Sequence, residues 1–243
     1  MKSEKNGTTE ATKHRLPGMF IPAIAVILVL VGGEIVLNGA KSSNLQAAPA
    51  DTTTKVYRAE LNSLNDSIAG MSATGTATIA LRGDSMFIEV VASGLQPQMM
   101  HLQHYHGFPD GEDASCATEQ QDVNRDGIVD LIETRSVSGV TLVPFNDNPA
   151  ELELTAESYP QAGEQGTFTY NDTVLISELL SSLTQRHNID SLQLENRVIY
   201  LHGVSEDTQL PESVESLEGV PAHVTLPVAC GKLQEVDKSW LPF

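Results

Sequence analysis

Residues 75–92 constrain this chain most. In 75–82 (GTATIALR), Ala77, Ile79 and Leu81 alternate with Thr76, Thr78 and Arg82, the period of a half-buried strand. Gly83-Asp84-Ser85 is a turn signal, and 86–92 (MFIEVVA) is rich in β-branched and apolar residues up to Gly94. Two strands on so short a turn form a hairpin, so the chain opens as an antiparallel meander. Further strands are predicted over 56–61 (VYRAEL), Met99 to Tyr105, 197–204 (RVIYLHGV) and 223–230 (HVTLPVAC). Strands at this spacing predict an all-β fold, an antiparallel Greek-key β-sandwich or flattened barrel with long loops. One short helix is expected over 173–187, where Val174, Leu175, Leu179, Leu180 and Leu183 recur at helical spacing after a cap at Asp172. The acidic stretch 205–218 reads as a solvated loop. Apolar residues are 40% and aromatics 5%, so the core must rest on Val, Leu, Ile and Ala.

The folded domain is expected over 55–236, with a tail at 237–243. Ahead of it, Lys2, Lys5, Lys13 and Arg15 precede an apolar run from Leu16 to Val31, so 1–37 read as a signal peptide or signal-anchor. Residues 38–54 are a polar, small-residue linker. Extracytoplasmic placement follows, either secreted or anchored through the N-terminal segment, which is the only membrane contact expected. The net charge of -18 argues against nucleic acid and anionic membrane surfaces as partners and leaves metal ions as the expected ones. Two cysteines, Cys116 and Cys230, cannot frame a disulfide-rich fold but can pair in an oxidising compartment.

Four of the seven histidines carry the chemistry. His101, His104 and His106 lie in HLQHYHG, and His202 lies in RVIYLHG. His104 and His106 are two apart, so on a strand their imidazoles share a face at a spacing of about 7 Å and can grip one ion. The third ligand must come from a distant strand, as His202 could. Imidazole suits copper and zinc.

These surroundings resemble the copper,zinc superoxide dismutases. Residues 94–107 (GLQPQMMHLQHYHG) are similar to the family segment Gly-Leu-x-x-Gly-x-His-Gly-Phe-His-x-His, with one residue inserted before His101. Arg197 and His202 match the family's Arg-x4-His, and Ala229-Cys230-Gly231 matches its Ala-Cys-Gly. The resemblance implies copper on His104, His106 and His202, a supporting role for His101, and a disulfide between Cys116 and Cys230. It also implies an acidic pair, Glu206 and Asp207, beside the site. His223, seven residues before Cys230, is a candidate fourth ligand. The departures are specific. Asp122 stands where the family has its bridging histidine, and His187 is the only histidine between His106 and His202, so a zinc site of the family type is not expected. Pro227 stands where the family has its active-site arginine.

Residues 122–133 (DVNRDGIVDLIE) fit the twelve-residue calcium loop. Asp122, Asn124 and Asp126 take positions one, three and five, Gly127 the sharp turn, the Ile128 carbonyl position seven, Asp130 position nine and Glu133 position twelve. Val129 is the apolar plug. No pair of helices is evident around it, so a structural calcium ion stiffening the excursion is expected rather than a sensor.

Three functions compete. The first is a copper-only superoxide dismutase-like oxidoreductase; the second is a non-catalytic copper- and calcium-binding structural module. The third is a CHRD-type surface domain, against which the two cysteines and the Arg197 to His202 spacing count. No nucleophilic triad stands out, Ser115 lacking any motif context, and no phosphate-binding glycine loop is present.

Overall fold

The computed structural model describes residues 54–154 and 156–237. Residues 1–37, read above as a signal peptide or signal-anchor, nearly all of the expected linker at 38–54, and the residues beyond Asp237 lie outside the described residues. Elements follow in the order β1 (Lys55–Ser63), α1 (Asp66–Ala69), β2 (Thr74–Arg82), β3 (Ser85–Ser93), β4 (Gln103–Gly107), α2 (Leu131–Ser138), β5 (Val140–Pro144), β6 (Phe168–Leu175), α3 (Ile176–His187), β7 (Val198–His202), α4 (Ala222–Thr225), β8 (Pro227–Lys232) and β9 (Gln234–Val236).

All strand pairs are antiparallel, in the order β5-β4-β7-β8-β1-β2-β3-β6, with β9 also on β1. β1 turns the corner between two layers. Lys55 to Leu61 pair with β2, while Asn62 and Ser63 pair with Cys230 and Ala229 of β8. The chain passes between layers from β3 to β4, from β5 to β6 and from β6 to β7, which is the Greek-key connectivity of a flattened all-β barrel. One core holds both layers together: Ala59, Ile79, Met86, Ile88 and Val90 from one meet Tyr105, Ile199, Leu201 and Val228 from the other. Each large aliphatic group buried there contributes about 1.5–3 kcal/mol.

The predicted hairpin is present, with Arg82 opposite Ser85 and Gly83 at φ 59°. Its turn has a second use. The Asp84 carboxylate accepts from the Ser177 amide (2.9 Å) and the Ser177 hydroxyl (2.6 Å), capping α3 from another element. Asp172, the predicted cap, instead lies in β6 opposite Ile88. The alternation Phe168, Tyr170, Val174 wins residues 168–175 for the sheet, and the helix starts at Ile176 with Leu179 and Leu183 buried.

Two other strands differ from expectation. Residues 223–230 divide into α4 and β8, because Pro227 has no amide hydrogen and stands at a strand start. Of the Met99 to Tyr105 region only the part from Gln103 onward joins the sheet, in a strand that runs on to Gly107; the His101 amide donates to Pro160 O instead. Residues 205–218 are a loop, as expected.

Candidate metal centre

The core-facing side chains of β4 and β7 are Gln103 and Tyr105, and Ile199 and Leu201. Strand alternation therefore turns His104, His106, Val198, Tyr200 and His202 to the opposite face of the same layer. The register sets His104 across from Tyr200 and His106 across from Val198. The β7–β8 register shifts between Leu201 and His202, at the end of β7. Loops roof this face, and the three imidazoles are 4% exposed or less. Their ring centroids are 5.2 Å (His104 to His202), 5.6 Å (His106 to His202) and 5.8 Å (His104 to His106) apart.

One nitrogen of each ring is engaged and the other is not. His104 Nε2 lies 2.8 Å from the Tyr159 hydroxyl, and His106 Nε2 lies 3.3 Å from the Thr141 hydroxyl. His202 Nδ1 lies 2.8 Å from Thr225 O. A carbonyl only accepts, so His202 carries its proton on Nδ1 and presents a lone pair at Nε2. The remaining atoms, Nδ1 of His104, Nδ1 of His106 and Nε2 of His202, are buried without any partner. Burial holds His104 and His106 well below the ordinary imidazole range, with the neighbouring imidazoles adding to the effect, and pushes His202 down to about 4. All three are neutral at pH 7, the state that ligates metal.

Buried lone pairs left unmatched are costly. Three of them, one on each ring of a single histidine group, make a metal site the simplest account. The ligand atoms lie within 4.8 Å of one another. Bonds of about 2.0–2.1 Å would hold them within about 4.2 Å, so only a small closure is needed. Among the described residues this is the one His, Cys, Asp or Glu group so placed. Anchoring of each ring through its second nitrogen is the usual architecture of a histidine metal site.

The other candidates are placed differently. His101 is buried with Nδ1 3.1 Å from His202 O and Nε2 3.2 Å from Gln96 O, so it ties the loop before β4 to the end of β7. His223 stands outside the trio, its Nε2 2.7 Å from Thr208 O. Glu206 and Asp207 are exposed and are not part of the three-histidine group. The groups that hold the rings are Tyr159, Thr141 and Thr225, none of which carries a sequence signal of its own. Tyr200 forms a wall 5.0 Å from the His106 ring and 5.7 Å from the His202 ring. Its hydroxyl accepts from the Ala117 amide and pairs with Ser138 Oγ, both at 2.8 Å. A disulfide joins Cys116, next to Ala117, to Cys230, which lies opposite Tyr200. A cavity of about 190 Å³ reaches His106 and Thr141 from the surface, bordered by Arg135, Leu131, Leu154 and Leu217.

The acidic loop is closed on itself. Asp122 accepts from the Asp126 and Gly127 amides, and Asn124 Oδ1 accepts from the Asp126 amide. Asp126 accepts from the Ile128 amide and, at 2.6 Å, from the Ser213 hydroxyl. Asp130 and Glu133 form a capping box at the start of α2, and Glu133 Oε1 also accepts from the Val123 amide. Arg125 (φ 62°) and Gly127 (φ 85°) supply the sharp turns, and Val129 is buried as a plug. A short 3-10 turn at Glu119–Gln121 precedes the loop, and α2 begins within its last three residues, at Leu131.

No family model matches this chain, and no curated protein matches it. Among solved structures it is similar to a double mutant of a SOD-like protein from Bacillus subtilis, at 16% identity over 72% of this chain and 95% of that one, with a TM-score of 0.38. Fold and site together define an antiparallel Greek-key barrel carrying a buried three-histidine group on its loop-covered face.

Proposed function

We propose that this chain is an extracytoplasmic superoxide dismutase-like metal protein holding copper on His104, His106 and His202. The observation that carries this reading is the set of three unpartnered, buried imidazole nitrogens in one group. Copper is favoured because a neutral all-imidazole site suits it and because divalent copper tops the affinity order at such sites. The sequence resemblance around residues 94–107 and 197–202 points the same way. Copper bound there supplies one-electron chemistry, which superoxide dismutation requires. The Cys116–Cys230 disulfide fits an oxidising compartment.

Calcium in the 122–133 loop is the second part of the proposal. Its support is the twelve-residue pattern together with a backbone that already turns at Arg125 and Gly127 and continues into α2. Binding would exchange the carboxylates' bonds to loop amides for bonds to the ion.

A non-catalytic metal-binding module is the second reading. The near-complete burial of the three rings and the absence of an arginine at Pro227 favour it. The test is metal content of the full chain folded with copper and calcium available, beside His104→Ala/His106→Ala. One copper per chain, lost in the variant, is expected; copper no higher than in the variant overturns the proposal. The rate of superoxide removal by the copper form then separates the two readings.

A further inference from the structure

Each of the three histidines is anchored by a different kind of group, and the anchors are not equivalent. His202 has a carbonyl, which fixes its tautomer outright. His106 has a hydroxyl at a loose 3.3 Å. His104 has the phenol of Tyr159 at 2.8 Å, and that phenol is itself buried, at 6% exposure. The two rings meet edge to face, 5.4 Å between centroids and 75° between planes.

We propose that Tyr159 is the positioning residue that commits His104 to bind metal through Nδ1. This inference rests on the metal reading of the trio and adds the residue that selects the nitrogen His104 uses. A phenol oxygen can accept from an imidazole N–H or donate to its lone pair. If Tyr159 donates, the His104 proton sits on Nδ1 and blocks the metal. If Tyr159 accepts, the proton sits on Nε2 and Nδ1 keeps a free lone pair in the three-histidine group. Metal binding therefore selects the second arrangement, and the phenol oxygen is what keeps the Nε2 proton satisfied in a buried place. Without that oxygen the ligating tautomer would carry a bare, desolvated N–H.

The fold holds Tyr159 in place for this. It follows the turn at Ala156–Ser158, and the next residues are tied to the segment ahead of β4: the His101 amide donates to Pro160 O, Met100 bridges Gln161, and the Ala162 amide donates to Met99 O. The backbone that delivers Tyr159 is thus bonded to the same stretch that leads into His104. Loss of a group anchoring a metal-bound histidine costs 10–100-fold in metal affinity at other sites.

The test compares wild-type full-length chain with Tyr159→Phe, which removes the hydroxyl and keeps the ring. Copper(II) affinity is measured by competition, and the copper(II) paramagnetic resonance spectrum is recorded. A 10–100-fold weaker affinity with altered hyperfine splitting is expected in the variant, with the metal-free melting temperature lowered by only a few degrees. Should the variant not fold, nitrogen-15 spectra of the wild-type zinc(II) form decide the matter. They are expected to show His104 protonated at Nε2 and bound through Nδ1. Wild-type affinity and spectrum in Tyr159→Phe, or His104 bound through Nε2, would overturn the inference while leaving the trio as a metal site. No metal uptake by wild type would overturn both.

Discussion

The side-chain amide of Asn65 pairs with both backbone groups of Val129, its Oδ1 accepting from the Val129 amide and its Nδ2 donating to the Val129 carbonyl, each at 2.9 Å. The same Nδ2 donates to Pro227 O at 2.9 Å. One residue thus fastens the acidic loop, at its apolar plug, to the start of β8, and it does so from a left-handed backbone at φ 63°. Three part-buried bonds contribute about 1 kcal/mol each, and alanine in that conformation adds about 1 kcal/mol of strain. Asn65→Ala is expected to lower unfolding free energy by about 3–4 kcal/mol in urea titrations. Asn65→Gly, free of the strain, should recover about 1 kcal/mol of that loss. Equal losses would show that the conformation of Asn65 contributes nothing.

Calcium is expected to raise the melting temperature of the chain, and chelation to lower it. At a concentration one hundred times the dissociation constant the gain is about 2.7 kcal/mol. Glu133 is the residue to change, since its two oxygens already reach Val123, Asn124 and Asp130 across the loop. Glu133→Gln keeps the size and removes the charge. The calcium-dependent shift should vanish in that variant, and the metal-free melting point should fall by a few degrees, since one of the two accepting oxygens becomes an amide nitrogen. A shift that survives in Glu133→Gln would place the ion elsewhere.

The stability of the metal-free chain should fall on acidification below pH 6.5. The buried imidazoles of His104, His106 and His202 all have folded-state values beneath the unfolded one. The unfolded chain therefore binds more protons in this window, and stability present above pH 6.5 is lost as pH falls through the folded values. His202 alone, moving from 6.5 to about 4, accounts for roughly 3 kcal/mol. Denaturant midpoints from pH 7.5 to pH 4 measure this. His202→Gln should flatten part of the slope, and an identical slope in that variant would contradict the assignment.

Legibility in the sequence followed the range of the interaction. The β2–β3 hairpin was readable because period-two alternation and a Gly-Asp turn are local. His104 and His106 were readable because two residues on a strand share a face, and His202 because its Arg-x4-His spacing carried the resemblance. Tyr159 was not, since it sits in irregular chain 55 residues from the ring it contacts and no pattern links them. His223 looked available by proximity to Cys230, but α4 sends its ring to Thr208 O. The helix over 173–187 was half right for a similar reason. Val174 and Leu175 suit both periods, and only pairing of Val174 with Met86 and of Leu175 with Ser85 gives them to the sheet.

Gly107, directly after His106, offers the sharpest test of how the strand end is held. A Cβ there would lie 2.6 Å from Arg197 Cδ and nearer still to its Nη1. Arg197 cannot simply step aside. It is 1% exposed, donates from Nε to Leu192 O at 3.1 Å and from Nη1 to Phe108 O at 2.8 Å, and its burial lowers its pKa from the usual guanidinium value. Making room costs those bonds inside a packed region, where overpacking costs about 1–3 kcal/mol. Gly107→Ala is therefore expected to lose about 2–4 kcal/mol by urea unfolding. Because Gly107 pairs with Val140 and His106 with Thr141, the displaced strand end should also pull His106 from its anchor. Metal affinity should fall in Gly107→Ala even under conditions where the variant is fully folded. Arg197→Ala in the Gly107→Ala background removes both colliding groups, Cδ and the guanidinium, and it should restore part of the metal affinity. No recovery would mean that the strand end, not the arginine, determines the position of His106.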